Sequence, residues 1–199
     1  MWHKIAPRLA QDFTVVLTDL RGYGESSKPA STADHAPYSK RAMARDQVAV
    51  MRQFGFDRFS VAGHDRGARV AYRLALDHPE RVQKLSVLDI VPTGEALRRT
   101  DKEMAFEFWI WFFLAQPGGL PEHVIGADPQ FFIDHMLDTW STIPDAFPVE
   151  IRQAYCRNFS DRATLHAICE EYRAALTLDD HLDEADRGKR RIACPVLAL

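Results

Sequence analysis

A five-residue segment with glycine at both ends, Gly63-His64-Asp65-Arg66-Gly67, most constrains how this chain folds. It joins a short apolar run to a helix-patterned stretch with no loop between them. Glycine permits so tight a strand-to-helix turn because it has no Cβ atom. The central residue, Asp65, is therefore predicted to lie on the turn itself, with its side chain presented at the edge of a sheet.

The segments on either side alternate between strand and helix patterns. Three short apolar runs predict β-strands, at residues 13–18, 59–63 and 85–90. Residues 39–54 and 66–77 carry apolar side chains at helical spacing instead. Such alternation is typical of an α/β fold built on a mostly parallel sheet flanked by helices, and the first run is expected to be a strand buried on both faces.

The pattern changes after the third strand. From residue 93 to residue 186 no strand is predicted, and helix patterns occupy residues 103–114, 129–137 and 162–175. The first of these helices is rich in aromatic side chains. We interpret the insertion as a helical cap over the sheet.

Charged residues dominate positions 179–191, first acidic and then basic, which predicts a solvated linker. A strand pattern returns at residues 192–199. The sequence therefore predicts a partial core at residues 1–92, a helical cap at residues 93–186 and a return to the core at residues 187–199.

Charge and hydropathy patterning exclude several classes of protein. Lys and Arg total 25 against 28 Asp and Glu, a net charge of −3, which argues against a nucleic-acid-binding protein. The longest apolar run, residues 108–115, is far short of the ~20 residues that a membrane span needs. Cys156, Cys169 and Cys194 lack the spacing of metal ligands, and they predict reduced thiols in a cytoplasmic protein.

A carboxylate at the centre of the glycine-flanked turn has a direct chemical use. Asp65 could attack a carbon atom and form an alkyl ester with it. The start of the following helix stabilises negative charge and would keep Asp65 ionised. The alternative interpretation is structural, since aspartate is also a common N-cap residue that accepts a hydrogen bond from the helix backbone.

Several segments resemble those of a known family. Residues 19–29 resemble the strand-4 loop of the α/β-hydrolases, and residues 63–69 resemble the elbow of the haloacetate (fluoroacetate) dehalogenases. Residues 88–93, 124–129 and 172–174 resemble that family too, in order and at compatible spacing. The resemblance spans most of the chain and implies an α/β-hydrolase fold with a helical cap. The epoxide hydrolases share the aspartate elbow.

The resemblance implies a role for each matching residue. Asp65 would be the nucleophile that displaces a halide from the α-carbon, and Asp89 would orient a catalytic histidine. Arg66 and Arg69 would hold the substrate carboxylate, since side chains three positions apart on a helix share a face and guanidinium groups bind carboxylates through paired hydrogen bonds. The alternatives are a loop or capping role for Asp89 and a solvated helix face for the arginines.

Two aromatic residues match the family positions that bind the departing halide. These are Trp111, through its indole N–H, and Tyr172, through its phenol O–H. The alternative for both is a place in the aromatic core. Fluoride-active members carry a histidine just before the tryptophan, where this chain has Ile110. Because fluoride depends most on such donors, chloro- and bromoacetate are expected to suit this site better than fluoroacetate.

The predicted strands resemble strands 4, 5, 6 and 7 of the family fold. Strand 3 with its His-Gly oxyanion loop would precede this chain, and strand 8 with the catalytic histidine would follow it, so the chain is expected to be truncated at both ends. His64 and His78 do not fit the catalytic role, and His181 is left open. Because strand 3 lies between strands 4 and 5 in the family, a gap is expected in the sheet.

The sequence thus predicts hydrolytic dehalogenation of short haloacids, haloacetate to glycolate plus halide, through an alkyl ester of Asp65. The expected partner is the small haloacid, without a metal, an organic cofactor, nucleic acid or a membrane, and a homodimer is left open. An epoxide hydrolase of the same fold and an inactive fragment are the alternatives. Arg66 and Arg69 together favour the haloacid, because an epoxide needs no carboxylate clamp.

Overall fold

The computed structural model describes residues 2–143 and 145–199, and its centre is a small parallel sheet. Strands β1 (Phe59–His64), β2 (Val82–Leu88) and β3 (Val196–Ala198) lie side by side in that order. Both neighbouring pairs are parallel. The arrangement confirms the α/β fold that the alternation of strand and helix patterns predicts.

Helices make up most of the rest of the described chain. Before β2 these are α1 (Ala6–Leu9), α2 (Lys40–Gln53) and α3 (Arg66–Asp77), with 3-10 turns at Trp2–Lys4 and Ala36–Tyr38. After β2 they are α4 (Thr93–Arg98), α5 (Lys102–Glu107), α6 (Trp109–Leu114), α7 (Leu120–Ala127), α8 (Pro129–Trp140), α9 (Val149–Ser160), α10 (Arg162–Ala174), a π-helical segment (Ala175–Asp179) and α11 (Asp180–Asp186). None of these described helices is long and apolar enough to cross a bilayer.

The first apolar core lies between the sheet and the helices beside it. Helix α3 packs on β1 and β2, and α2 packs on α3. The Ser39 hydroxyl begins α2 by accepting a hydrogen bond from the Ala42 amide at 3.2 Å. The buried members of this core are Tyr38, Met43, Ala44, Phe59, Val70, Ala71, Tyr72, Leu74, Ala75, Val82, Leu85 and Ala167.

The helices after β2 build a second apolar core. Its buried members are Ala96, Ile110, Trp111, Leu114, Ile125, Met136, Leu165, Ile168 and Cys169. The helices predicted at residues 129–137 and 162–175 are confirmed as α8 and α10, whereas the helix predicted at residues 103–114 is two helices that meet at Phe108. Helix α10 contributes to both cores and therefore connects the cap helices to the sheet. The three cysteines are unpaired thiols, as predicted.

The prediction of a buried strand at residues 13–18 is wrong. This segment belongs to no strand of the described structure, and Phe13 and Leu17 are 66% and 55% exposed. A strand needs a hydrogen-bonded neighbour, and no described segment pairs with this one. The apolar pattern records a preference for extended backbone, which becomes a strand only beside a partner.

The prediction of a solvated linker from residue 179 is also wrong for its acidic half. These residues end the π-helical segment and form α11. Asp179 is 2% exposed, and Asp183 accepts hydrogen bonds from the Tyr72 hydroxyl at 2.7 Å and from the Gly94 amide at 2.9 Å. Tertiary partners draw these carboxylates into the fold, and a charge run by itself does not reveal such partners.

Candidate active site

Asp65 has a backbone conformation that few residues other than glycine adopt. Its φ is +47° and its ψ is −121°. The Asp65 carbonyl oxygen accepts hydrogen bonds from the amides of Ala68 and Arg69 at 3.0 and 3.1 Å, which holds the turn. Although Asp65 stands at the N-cap of α3, its carboxylate accepts no hydrogen bond from the helix backbone. The capping interpretation is therefore wrong, and the exposed carboxylate is free for chemistry.

Gly63 lets the strand and the helix approach each other closely at this turn. A Cβ atom at Gly63 would lie 2.4 Å from the Gly67 carbonyl oxygen and 2.6 Å from the Ala68 Cα. At Gly67 a Cβ atom would meet nothing within 4 Å. There is thus no room for a side chain at Gly63, whereas there is room for one at Gly67.

The two acids predicted from the sequence follow neighbouring strands. His64 of β1 pairs with Leu88 of β2, so Asp65 and Asp89 both come directly after paired residues at the carboxyl edge of the sheet. The Asp89 side chain is 92% exposed, and its Oδ2 lies 3.9 Å from His64 Nε2, too far for a hydrogen bond. Among the described contacts Asp89 makes no hydrogen bond or ion pair with the predicted arginines. Its side chain is therefore exposed at this edge of the sheet.

Arg66 is held along one edge by Glu171. Its Nε donates to both carboxylate oxygens, at 2.9 and 2.7 Å, and its Nη2 donates to Oε1 at 2.5 Å. The remaining nitrogen, Nη1, is buried and has no hydrogen-bond partner. Arg66 is 7% exposed, so the alternative of a solvated helix face is wrong.

Arg69 is held differently, by uncharged groups. Its Nη1 donates to the Val91 carbonyl oxygen at 2.7 Å and to the Thr93 hydroxyl at 3.3 Å. Its Nε is buried and unpartnered, and the side chain is 3% exposed. Burial, together with the nearby charge of Arg66, lowers the pKa of Arg69. An anion bound beside it would therefore be stabilised.

The two predicted halide-binding aromatics pack against these arginines. The Arg66 Cζ lies 4.0 Å from the ring centroid of Tyr172, and the Arg69 Cζ lies 4.3 Å from that of Trp111. Trp111 is 5% exposed and also belongs to the second core. Among the described hydrogen bonds, neither the Trp111 indole nor the Tyr172 hydroxyl has an acceptor. Burial raises the pKa of Tyr172, and the charges of Asp65 and Glu171 raise it further.

Four further side chains, which the sequence analysis missed, lie around the arginines and the aromatic residues that pack on them. Glu171 is fully buried, and Lys40 of α2 pairs with it and with Asp179. The Tyr23 hydroxyl donates to Glu171 Oε2 at 3.2 Å. Burial alone would raise the pKa of Glu171, but Arg66 and Lys40 lower it to about 2. The carboxylate is therefore ionised beneath the arginines.

Helix geometry could have pointed to Glu171. It lies four residues after Ala167 and three before Ala174, and all three are fully buried, so it belongs to the apolar face of α10. A carboxylate on such a face needs a cation, because an unpaired buried charge is costly. Its partner Arg66 is 105 residues away along the chain, which the sequence could not reveal.

Three features together define a class of protein. An aspartate lies on a strand-to-helix turn, the turn lies at the carboxyl edge of a parallel sheet, and a helical insertion lies beside it. The α/β hydrolase fold family matches residues 1–144. The chain belongs to this family. Among the described residues no group of three or more His, Cys, Asp and Glu side chains could hold a metal ion.

Within that family the resemblance to the haloacetate dehalogenases is confirmed. The chain is 49% identical to the fluoroacetate dehalogenase of Burkholderia sp over 200 residues, which cover 100% of this chain and 66% of that protein. It is 30% identical to the soluble epoxide hydrolase of Corynebacterium sp. strain C12, covering 99% of this chain and 68% of that protein. A crystal structure of a candidate α/β hydrolase from Nostoc sp PCC 7120 has a TM-score of 0.95 and 56% identity, covering 99% of this chain and 67% of that one. The chain thus spans about two thirds of the length of these relatives.

Proposed function

We propose that this chain carries the nucleophile and the substrate clamp of a haloacid dehalogenase, which converts haloacetate to glycolate and halide. The observation that carries the proposal is the uncapped Asp65 carboxylate beside Arg66 and Arg69, each of which keeps one buried, unpartnered nitrogen. The 49% identity to the Burkholderia fluoroacetate dehalogenase supports it.

The first chemical step forms an ester. A carboxylate oxygen of Asp65 attacks the α-carbon of the haloacetate, and the carbon–halogen bond breaks with its electron pair leaving on the halide. Arg66 and Arg69 donate to the substrate carboxylate and align the α-carbon with the nucleophile. The Trp111 N–H and the Tyr172 O–H stabilise the charge that grows on the departing halide.

The second chemical step hydrolyses the ester. Water attacks the carbonyl carbon of the esterified Asp65, which releases glycolate and restores the carboxylate. A base must take a proton from that water. Asp89 would orient a histidine for this task, since it lies open at the carboxyl edge of the strand beside β1.

Mass spectrometry after treatment with bromoacetate tests the proposal. We expect one carboxymethyl-type adduct on the peptide that contains Asp65, and none on that peptide in the isosteric Asp65→Asn variant. Cysteine adducts are separated by peptide mapping, because bromoacetate also alkylates thiols. Release of glycolate in excess of protein would show that the ester is also hydrolysed. A folded chain that gives no Asp65 adduct would support the inactive alternative.

Epoxide hydrolysis is the competing function, because the Corynebacterium soluble epoxide hydrolase shares 30% identity with this chain. Asp65 would then open an epoxide ring, with the Tyr172 hydroxyl donating to the epoxide oxygen. The two buried arginines beside Asp65 favour a substrate that carries a carboxylate. Reaction of Asp65 with styrene oxide but not with bromoacetate would reverse this assignment.

A further inference from the structure

Arg66 is oriented by a carboxylate from a separate part of the fold. Arg66 begins α3, directly after the proposed nucleophile, whereas Glu171 lies on α10. Two nitrogens on one edge of the guanidinium, Nε and Nη2, both donate to Glu171. That edge is fully used, so Nη1 is the buried nitrogen that remains for a ligand.

Glu171 is itself anchored. Lys40 pairs with Glu171 and also donates to Asp179 Oδ2 at 3.4 Å. The Tyr23 hydroxyl donates to the second carboxylate oxygen of Glu171. Glu171 and Lys40 are 0% and 1% exposed, respectively. A carboxylate held from three sides cannot swing away, so it restricts Arg66 to one orientation and removes the entropy cost of ordering that side chain when a ligand binds.

The charges of this group leave one cation without a carboxylate. Lys40 and Arg66 are balanced by Glu171 and Asp179. Arg69 donates to a carbonyl and a hydroxyl, and within the described part of the chain no carboxylate pairs with it. The site therefore presents one buried, unpartnered nitrogen from each arginine, and among the described contacts Arg69 has no carboxylate bound to it directly, which matches a ligand with a single carboxylate.

We propose that Glu171 is a positioning residue that sets the specificity of this site for monocarboxylates. It takes up one edge of Arg66, directs Nη1 toward the substrate and cancels the Arg66 charge. Consequently Arg66 contributes Nη1 to the clamp, because the two-nitrogen edge formed by Nε and Nη2 is occupied by Glu171. The inference rests on the proposed function and names its substrates as short acids with one carboxylate, in preference to dicarboxylates and neutral halides.

The test compares the unmodified chain with Glu171→Gln, in which Arg66 is no longer held by a charge. Alkylation of Asp65 is followed with bromoacetate and with neutral bromoacetamide, which does not need the clamp. We expect the bromoacetate-to-bromoacetamide ratio of rate constants to fall about tenfold, because the carboxylate of bromoacetate loses the charge-assisted hydrogen bond from Arg66 Nη1. A general loss of structure would slow both reagents and leave the ratio unchanged.

Glu170→Gln is the matched control. It removes the same charge from the adjacent buried residue, which pairs with His35 and Arg173 and does not contact Arg66. Its ratio should equal that of the unmodified chain. In folded protein, an unchanged ratio in Glu171→Gln, a ratio that rises, or an equal fall in both variants overturns the positioning role. If Glu171→Gln does not fold, Lys40→Met/Glu171→Gln replaces it, because that pair leaves no unpaired buried lysine.

Binding of isotope-labelled acetate, measured by NMR, separates this inference from the proposed function. A folded chain without an Asp65 adduct contradicts dehalogenation, yet its clamp can still be measured in this way. We expect acetate to bind the unmodified chain more tightly than succinate does, and about tenfold more tightly than it binds Glu171→Gln. Equal acetate affinities, or no acetate binding to the unmodified chain, overturn the inference.

Discussion

The guanidinium of Arg66 lies against the ring of Tyr172, with its Cζ 4.0 Å from the ring centroid. This contact joins two tasks that the proposed reaction requires, because Arg66 would hold the carboxylate of the substrate and Tyr172 would receive its halide. In a haloacetate these two groups are attached to the same α-carbon. A site for so short a substrate must therefore place its two kinds of donor in contact, as this one does.

The Tyr172→Phe variant tests the hydroxyl separately from the ring. The ring stays beneath Arg66, and the hydroxyl has no acceptor among the described residues, so stability should change little. Alkylation of Asp65 by chloroacetate should slow by about a hundredfold, because one donor to the departing charge is lost. Tyr38→Phe serves as the comparison, since the hydroxyl of Tyr38 donates to the Pro29 carbonyl oxygen at 2.6 Å and to none of the site residues. Equal chloroacetate rates in Tyr172→Phe and the unmodified chain would contradict the halide assignment.

Ile110 predicts a preference among halides. It is 3% exposed and directly precedes Trp111, where an imidazole would add a donor. The unmodified chain should form the Asp65 adduct faster with chloroacetate than with fluoroacetate, and Ile110→His should narrow that difference. Fluoride gains most because its departure depends most on hydrogen-bond donors. The hypothesis fails if the unmodified chain reacts equally fast with both acids.

The strained backbone at Asp65 predicts that one substitution there both stabilises the fold and abolishes the reaction. Glycine adopts a φ of +47° without cost, so Asp65→Gly should raise the free energy of unfolding by about 1 kcal/mol while abolishing the adduct. Urea denaturation measures the first effect, and mass spectrometry measures the second. The Asp65→Asn variant should lose the adduct without the gain in stability. Lower stability in Asp65→Gly would show that the turn is not strained.

The two glycines of the turn should respond differently to alanine. Gly63→Ala drives a Cβ atom into the backbone of Gly67 and Ala68, which should cost about 2 kcal/mol of stability or more. Gly67→Ala meets no atom within 4 Å and should be neutral or slightly stabilising. Thermal or urea unfolding of the two variants checks this. Similar losses in both would mean that the close approach at Gly63 is absent in solution.

Glu171 predicts how stability depends on pH. Arg66 and Lys40 lower its pKa from 4.5 to about 2 in the folded chain, despite its burial. Its contribution, about 3 kcal/mol, is therefore fully present above pH 4.5, declines as the pH falls, and is lost below about pH 2. Urea unfolding between about pH 6 and pH 3 should show the stability difference from Glu171→Gln shrinking with acid. A constant difference would contradict the ionised, paired carboxylate.

The accuracy of the sequence predictions follows the range of the interactions involved. Helices α2, α3, α8 and α10 were predicted because helical periodicity is a local property of neighbouring residues. Residues 13–18 were wrongly predicted as a strand, because pairing depends on a distant segment that the pattern does not contain. The acidic stretch was wrongly predicted as a linker for the same reason, since Tyr72 and Gly94 determine the surroundings of Asp183.

The sequence by itself determined the glycine-flanked turn, the α/β alternation and the family, because these depend on residues that are close together along the chain. It also indicated Arg66 and Arg69 as one face of a helix. The tertiary structure decided how those arginines are used. Glu171, 105 residues from Arg66, occupies one edge of its guanidinium and leaves a single buried nitrogen free. Charge partners of buried groups are contacts through space, and only the folded chain brings them together.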